Sequence, residues 1–184
     1  MIDMKIALTG GIACGKSLFA KFLRELGIHV LDADDVVHEL VPDPAERRRI
    51  AAEVFADPAK RRELEARIHP LVKARIEAWL EMEDHGGPGH FRIAIIPLLF
   101  EVQWERNFDI ICCVASERET QISRMMASRG YTREEAEARL AAQMPVEEKA
   151  AKSHYVVYNN GTAEELRSKA QGLVEWLRSR CPEA

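Results

Sequence analysis

Residues 8–19 read LTGGIACGKSLF: three glycines, a lysine and a serine between an apolar run and an amphipathic stretch. Within it, Gly10-Gly11-Ile12-Ala13-Cys14-Gly15-Lys16-Ser17 fits G-x-x-x-x-G-K-[ST], the phosphate-binding P-loop. Each position has a physical reason. Glycines permit positive φ and let backbone N–H groups converge on phosphate oxygens with no Cβ in the way. A helix opening near Gly15 points its positive end at the same anion. The Lys16 ammonium can reach the β- and γ-phosphates, and the Ser17 hydroxyl can ligate Mg²⁺. The motif demands a strand before it and a helix after it. Lys5–Thr9 supplies the first, and Leu18, Phe19, Phe22, Leu23 and Leu26 form a helical stripe that Gly27 ends. The stretch predicts a nucleoside triphosphate site.

Four further apolar runs rich in β-branched residues follow: Ile28–Leu31, Phe91–Ile96, Ile110–Ala115 and Tyr155–Tyr158. Helical patterns separate them, which is the βαβ alternation of an α/β fold with a parallel sheet covered on both faces. Thr132 with Glu135 and Thr162 with Glu165 have the spacing of capping boxes, and Gly130 ends the helix before the first of them. The interval between the second and third runs is helical in composition from about Pro44 to His85, with Pro58 and Pro70 placed as helix starts. It exceeds one crossover, so residues 41–89 are expected to form an inserted helical subdomain, with Gly86-Gly87-Pro88-Gly89 returning the chain to the sheet.

The 184 residues suit one domain carrying such an insertion, and 47% hydrophobic residues can bury a real core. A net charge of −4 provides no global field to hold nucleic acid or an anionic membrane. No apolar run approaches the roughly 18 to 20 residues of a membrane span. The N-terminal apolar stretch is broken at once by Gly10 and Gly11, unlike a signal peptide. Cys14, Cys112, Cys113 and Cys181 show neither metal-ligand spacing nor a disulfide framework, which implies a reducing, cytoplasmic setting. Basic residues gather locally, at Arg47-Arg48-Arg49 and from Arg118 to Arg139, with acidic residues interleaved.

Phosphate binding alone leaves the reaction open. Leu31-Asp32-Ala33-Asp34-Asp35-Val36-Val37-His38 directly follows the second strand, and open parallel sheets bind ligands beyond the carboxyl ends of their strands. One carboxylate there is placed to take a proton from an attacking hydroxyl, and another to hold Mg²⁺ through water. The alternative is that these aspartates cap the following helix.

At this point the chain resembles the dephospho-CoA kinases. The resemblance rests on an ordered set of motifs: Leu8-Thr9-Gly10-Gly11-Ile12, Asp32-Ala33-Asp34 with His38, His69-Pro70, Pro97-Leu98-Leu99-Phe100-Glu101, Gln121-Ile122-Ser123-Arg124, Arg139 with Gln143, and Tyr155-Val156-Val157 leading to Asn159 and Gly161. It implies a three-layer P-loop kinase fold with a five-stranded parallel sheet, a helical substrate-binding insertion and a helical lid over residues 124–145. It also implies ATP-dependent, Mg²⁺-assisted phosphorylation of the ribose 3′-hydroxyl of dephospho-CoA. By the same resemblance Asp34 receives the hydroxyl proton and Asp32 supports metal or water, though the two roles can be exchanged on sequence grounds. His38, His69, Leu98 and Glu101 border the acceptor pocket. Arg129 and Arg139 belong to the lid, where positive charge meets the transferring phosphoryl group. Their alternative is solvated pairing along Glu134, Glu135 and Glu137. Asn159 lies where such kinases pass beside the adenine, although an Asn-Gly turn explains it equally well.

Three departures from the family pattern stand out. The stretch between Asp-Ala-Asp and His-Pro is short, Ser153-His154 replaces the usual Ala-Asp, and Cys14 takes a position commonly held by Ser or Gly. A thiol at a helix N-terminus is expected to have a lowered pKa, which makes Cys14 a candidate reactive cysteine. The alternatives are another P-loop small-molecule or nucleotide kinase, a non-catalytic nucleotide- or CoA-binding protein, and a GTP-dependent switch. The switch lacks an Asn-Lys-x-Asp run, and its D-x-x-G at Asp84–Gly87 does not follow a strand. A monomer or weak homo-oligomer is expected.

Overall fold

The apolar run ahead of the P-loop becomes β1 (Ile6–Gly10), with all five residues buried. A strand buried on both faces needs partners on both edges and helices on both sides. The computed structural model describes residues 4–41, 43, 45, 49–50, 58–82 and 91–180. The other strands are β2 (His29–Asp32), β3 (Arg92–Ile95), β4 (Ile110–Ala115) and β5 (Tyr155–Tyr158). They form one five-stranded sheet of order β2-β3-β1-β4-β5. β1 runs parallel to β3, with Ile6 against Ile93, and parallel to β4, with Ile6 against Ile110. β4 runs parallel to β5, with Cys112 against Tyr155. β1 is the central strand, where the order reverses, and such a switch point opens a crevice at the carboxyl ends.

The helices among the described residues are α1 (Lys16–Glu25), α2 (Ala33–Leu40), α3 (Pro58–Leu80), α4 (Arg118–Arg129), α5 (Arg133–Ala141), α6 (Val146–Ala151) and α7 (Ala163–Arg178). α1 buries Phe19, Ala20, Phe22 and Leu23, and α7 buries Leu166, Ala170, Leu173, Val174 and Leu177 in the same core as β1 and β4. Truncating a fully buried ring such as Phe19 costs about 3–5 kcal/mol. Arg167 of α7 lies 4.5 Å over the Phe22 ring and 2.6 Å from Glu25, which fastens α7 to α1. Both expected capping boxes form, at Thr132 with Glu135 and at Thr162 with Glu165. Gly27 at φ 82° and Gly130 at φ 67° follow the helices they were expected to end.

Two local expectations are corrected. Leu18 is 39% exposed and does not belong to the buried stripe of α1. At 3.6 residues per turn it falls to the side of the face set by Phe19 and Leu23. Pro70 does not start a helix but lies inside α3. Its missing N–H would have paired with the carbonyl of Ala66, and both residues are exposed, so water can satisfy that oxygen. The buried residues Val72, Ile76 and Leu80, spaced four apart, keep the helix on one face beyond the proline.

The chain divides into two compact units, Met1–Val30 with Asp84–Ala184, and Leu31–Glu83. In the second, α2 packs on α3, with Val36 buried and Arg75 3.6 Å from Glu39. The expected return loop Gly86–Gly89, the D-x-x-G at Asp84–Gly87, Arg47, Arg48 and Cys181 lie outside the described residues. Among the described residues no helix is long and apolar enough to cross a membrane.

Candidate active site

In the first unit, the P-loop leaves the end of β1 and winds into α1. Ala13 has φ 57° and Gly15 has φ 88°, so the chain turns through the left-handed region twice before the helix begins. Gly15 is the α1 N-cap and makes no side-chain capping bond, and no acidic residue stands in the first turn of α1. The first N–H groups and the positive end of the helix dipole are left for an anion. A Cβ on Gly15 would strike Nδ2 of Asn159, so close approach as well as φ requires glycine there. Lys16 Nζ folds back over the loop, donating to the carbonyls of Gly11 at 2.7 Å and Gly10 at 3.1 Å. Ser17 is exposed beside it.

Three consecutive loop carbonyls are each held by a side chain from elsewhere. Gln121 Nε2 donates to Ile12 at 2.7 Å, Arg124 Nη1 to Ala13 at 3.3 Å, and Asn159 Nδ2 to Cys14 at 2.9 Å. A planar trans peptide carries its C=O and the following N–H on opposite edges. Fixing these oxygens therefore turns the N–H groups of Ala13, Cys14 and Gly15 away from the donors. Ser116 ties the supports together: its Oγ donates to the Asn159 carbonyl at 2.7 Å and accepts from Arg124 at 3.1 Å. Sequence reasoning missed Ser116 altogether. It placed Gln121 and Arg124 only as motif positions, and nothing local marks them as loop supports. Asn159, expected beside the adenine, is buried with its amide on the loop.

The expectation of a reactive Cys14 is corrected. Its side chain is fully buried, and Gln121 donates to its sulfur at 3.2 Å. Burial pushes the thiol above its ordinary pKa, and the neighbouring Lys16 charge offsets this only in part.

α4 and α5 sit against the tip of the loop. Ile122, Met125 and Ala136 are buried together, with Ile12, Ala13, Tyr131 and Leu140 packed on them. Arg139 stacks 4.3 Å over the Tyr131 ring. Arg133, at the start of α5, reaches Glu137 of the same helix at 3.1 Å and Glu119 of α4. That guanidinium holds the Glu119 carboxyl below its usual range. Arg129, exposed in the last turn of α4, makes no ion pair with Glu134, Glu135 or Glu137 among the described residues.

Beyond β3, the turn of residues 97–101 joins the same end of the sheet. Thr9 Oγ1 donates to the Pro97 carbonyl at 3.3 Å, directly before the P-loop. Leu98 is 39% exposed while Leu99 and Phe100 are buried. Glu101 Oε1 accepts from the Met144 amide at 3.1 Å and lies 2.7 Å from Lys149 Nζ. His154 supplies an acceptor nearby: its Nδ1 takes the Ile111 N–H at 2.9 Å.

In the second unit, Asp32 is the N-cap of α2 and its Oδ1 accepts from the Asp34 amide at 3.0 Å. Asp34 is exposed in the first turn of that helix, and His38 is exposed in its last. His69 is half-buried within α3. Capping therefore engages one oxygen of Asp32, while the Asp34 carboxylate stands at the helix start.

A family model described as dephospho-CoA kinase matches residues 4–47 and 44–165. The chain belongs to the dephospho-CoA kinase family. It is 42% identical over 195 residues to the dephospho-CoA kinase of Anaeromyxobacter dehalogenans, covering 94% of this chain and 92% of that one. It is 39% identical over 190 residues to the enzyme of that name from Geobacter sulfurreducens, covering 91% and 95%. Among solved structures, a Thermus thermophilus protein superposes with a TM-score of 0.74 at 34% identity, over 95% of this chain and 97% of the other. The expected α/β P-loop kinase fold is therefore the fold of this chain.

Proposed function

We propose that the protein transfers the γ-phosphoryl group of ATP to the ribose 3′-hydroxyl of dephospho-CoA, giving coenzyme A. The observation that carries this is the P-loop: a helix start with no side-chain cap, preceded by a loop whose Ile12, Ala13 and Cys14 carbonyls are pinned by side chains from elsewhere. Gly11–Ser17 cradle the phosphates, and Lys16 moves from two backbone carbonyls to the phosphoryl oxygens. Asp34 accepts the proton of the ribose hydroxyl as its oxygen attacks in line. Arg129 and Arg139, on the segment 124–145 acting as lid, place positive charge on the transferring group and exclude water. His38, His69, Leu98 and Glu101 border the acceptor, with residues 41–89 as its helical subdomain. Glu101 Oε2 supports this, since it is a buried oxygen with no partner among the described residues. Asn159 serves the nucleotide by holding the loop.

The donors suit Mg²⁺, a hard cation bound through oxygen: the Ser17 hydroxyl directly, and Asp32 through water. Ser17 and Asp32 would share the ion with the phosphate oxygens of the nucleotide. When bound, the ion neutralises charge on the β- and γ-phosphoryl oxygens. Free thiols at Cys14, Cys112 and Cys113 support a reducing cytoplasmic location, and the protein works as a monomer or weak homo-oligomer.

The test is to mix purified protein with ATP, Mg²⁺ and dephospho-CoA, alongside a panel of other acceptors. Coenzyme A detected by mass, with kcat/KM highest for dephospho-CoA, supports the reading. Preferential turnover of a different acceptor, or none at all, overturns it.

A further inference from the structure

Lys149 is a lysine whose side chain has no exposed area, on the short helix α6 between buried Val146 and Ala150. An ammonium group in that position is held against its loss of hydration only by its partners. Among the described residues it has two: Glu101 Oε1 at 2.7 Å and the Pro97 carbonyl at 2.8 Å. Each leads onward. Pro97 also accepts from Thr9, the residue before Gly10 of the P-loop. Glu101 also accepts from the amide of Met144, which follows Gln143 at the return from α5. Lys152, one turn along, stands 5.6 Å over the ring of Phe100, so α6 grips the 97–101 turn at two points. A methionine would fill the Lys149 site with no charge to bury, so packing does not explain the residue. Position does: one ammonium fixes the start of the P-loop, the 97–101 turn and the end of the lid segment relative to one another.

We propose that Lys149 and Glu101 form a positioning pair for phosphoryl transfer, holding the acceptor-bordering turn and the root of the lid in register with the phosphate loop. This rests on the proposed function for the role of the 97–101 turn. Lys149 cannot touch substrate, because its side chain is wholly enclosed, so its effect on the acceptor must pass through the residues it holds.

The test uses the full chain with ATP and Mg²⁺ and compares the parent with Lys149→Met and with Lys149→Met/Glu101→Leu. The double variant replaces the ion pair with an apolar pair and leaves no charge stranded. Expected are a KM for dephospho-CoA raised about tenfold in both and a nucleotide Kd within about twofold of the parent. A folded Lys149→Met protein with the parent's KM overturns the proposal, and so does a loss confined to kcat that tracks the melting temperature. If the single variant does not fold, the double variant is read by the same two outcomes. If the parent itself makes no coenzyme A, the functional reading has failed, and the pair is tested by hydrogen exchange at the Met144 amide. Exchange about tenfold faster in Lys149→Met, which keeps Glu101 as the acceptor of that amide, supports the latch, and an unchanged rate overturns it.

Discussion

The side-chain amide of Asn159 donates to the carbonyl of Cys14 at 2.9 Å, joining the residue after the last strand to the middle of the phosphate loop. The same residue receives Ser116 Oγ on its own carbonyl and donates its N–H to Ala115. The loop is thus held at the carboxyl end of the sheet by residues that follow β4 and β5.

Removing that bond should loosen nucleotide binding. In Asn159→Ala the buried carbonyl of Cys14 loses its donor, a cost of about 1–3 kcal/mol. We expect a nucleotide Kd weaker by about tenfold and a lower melting temperature. Titration calorimetry and thermal unfolding check both, and an unchanged Kd would remove Asn159 from its role.

Lys16 is held by two backbone carbonyls, so its truncation leaves no buried charge unpaired. Lys16→Ala is expected to keep the parent's far-UV circular dichroism and lower kcat by about two to three orders of magnitude. Substantial turnover in that variant would show that the ammonium does not meet the transferring group.

For Asp34 the discriminating pair of measurements is transfer and nucleotide affinity. Asp34→Asn removes a proton acceptor from an exposed helix start while keeping shape. Coenzyme A formation should fall by about two orders of magnitude or more, with nucleotide Kd unchanged. Should Asp32→Asn lose transfer while Asp34→Asn keeps it, the two roles are exchanged.

The buried thiols predict a pH dependence of stability. Burial pushes Cys113 from the ordinary 9.0 up to about 12, and raises Cys112 and Cys14 as well. A thiol with a raised folded-state pKa keeps its proton after the unfolded chain has lost its own. Stability is therefore whole below pH 9.0 and falls as pH rises toward the folded value of about 12. The slope is about 1.4 kcal/mol per pH unit for each such thiol. Urea midpoints at about pH 8 and about pH 10.5 read this, and Cys113→Ala should flatten the fall; equal midpoints would refute it.

The strands and helix ends were legible because their signals are local. β4 and β5 begin and end where their apolar runs do, and Thr132 and Thr162 cap the helices that their spacing announces. Pro70 misled because a proline rule assumes that the freed carbonyl must be avoided, whereas on an exposed face water serves it. Cys14 misled because position at a helix start was weighed without burial, which opposes it.

By itself, then, the sequence determined that a strand ends in a phosphate-binding loop, that the sheet is parallel, and which side chains compose the loop. Those properties depend on backbone conformations and periodicities within a few residues of each other. Only the tertiary structure decided what holds that loop. Gln121, Arg124 and Asn159 reach it across 109, 111 and 145 positions, and Lys149 reaches Pro97 across 52. Partners so far apart meet because the parallel sheet gathers the ends of β1, β3, β4 and β5, and no local pattern encodes which donor will face which carbonyl.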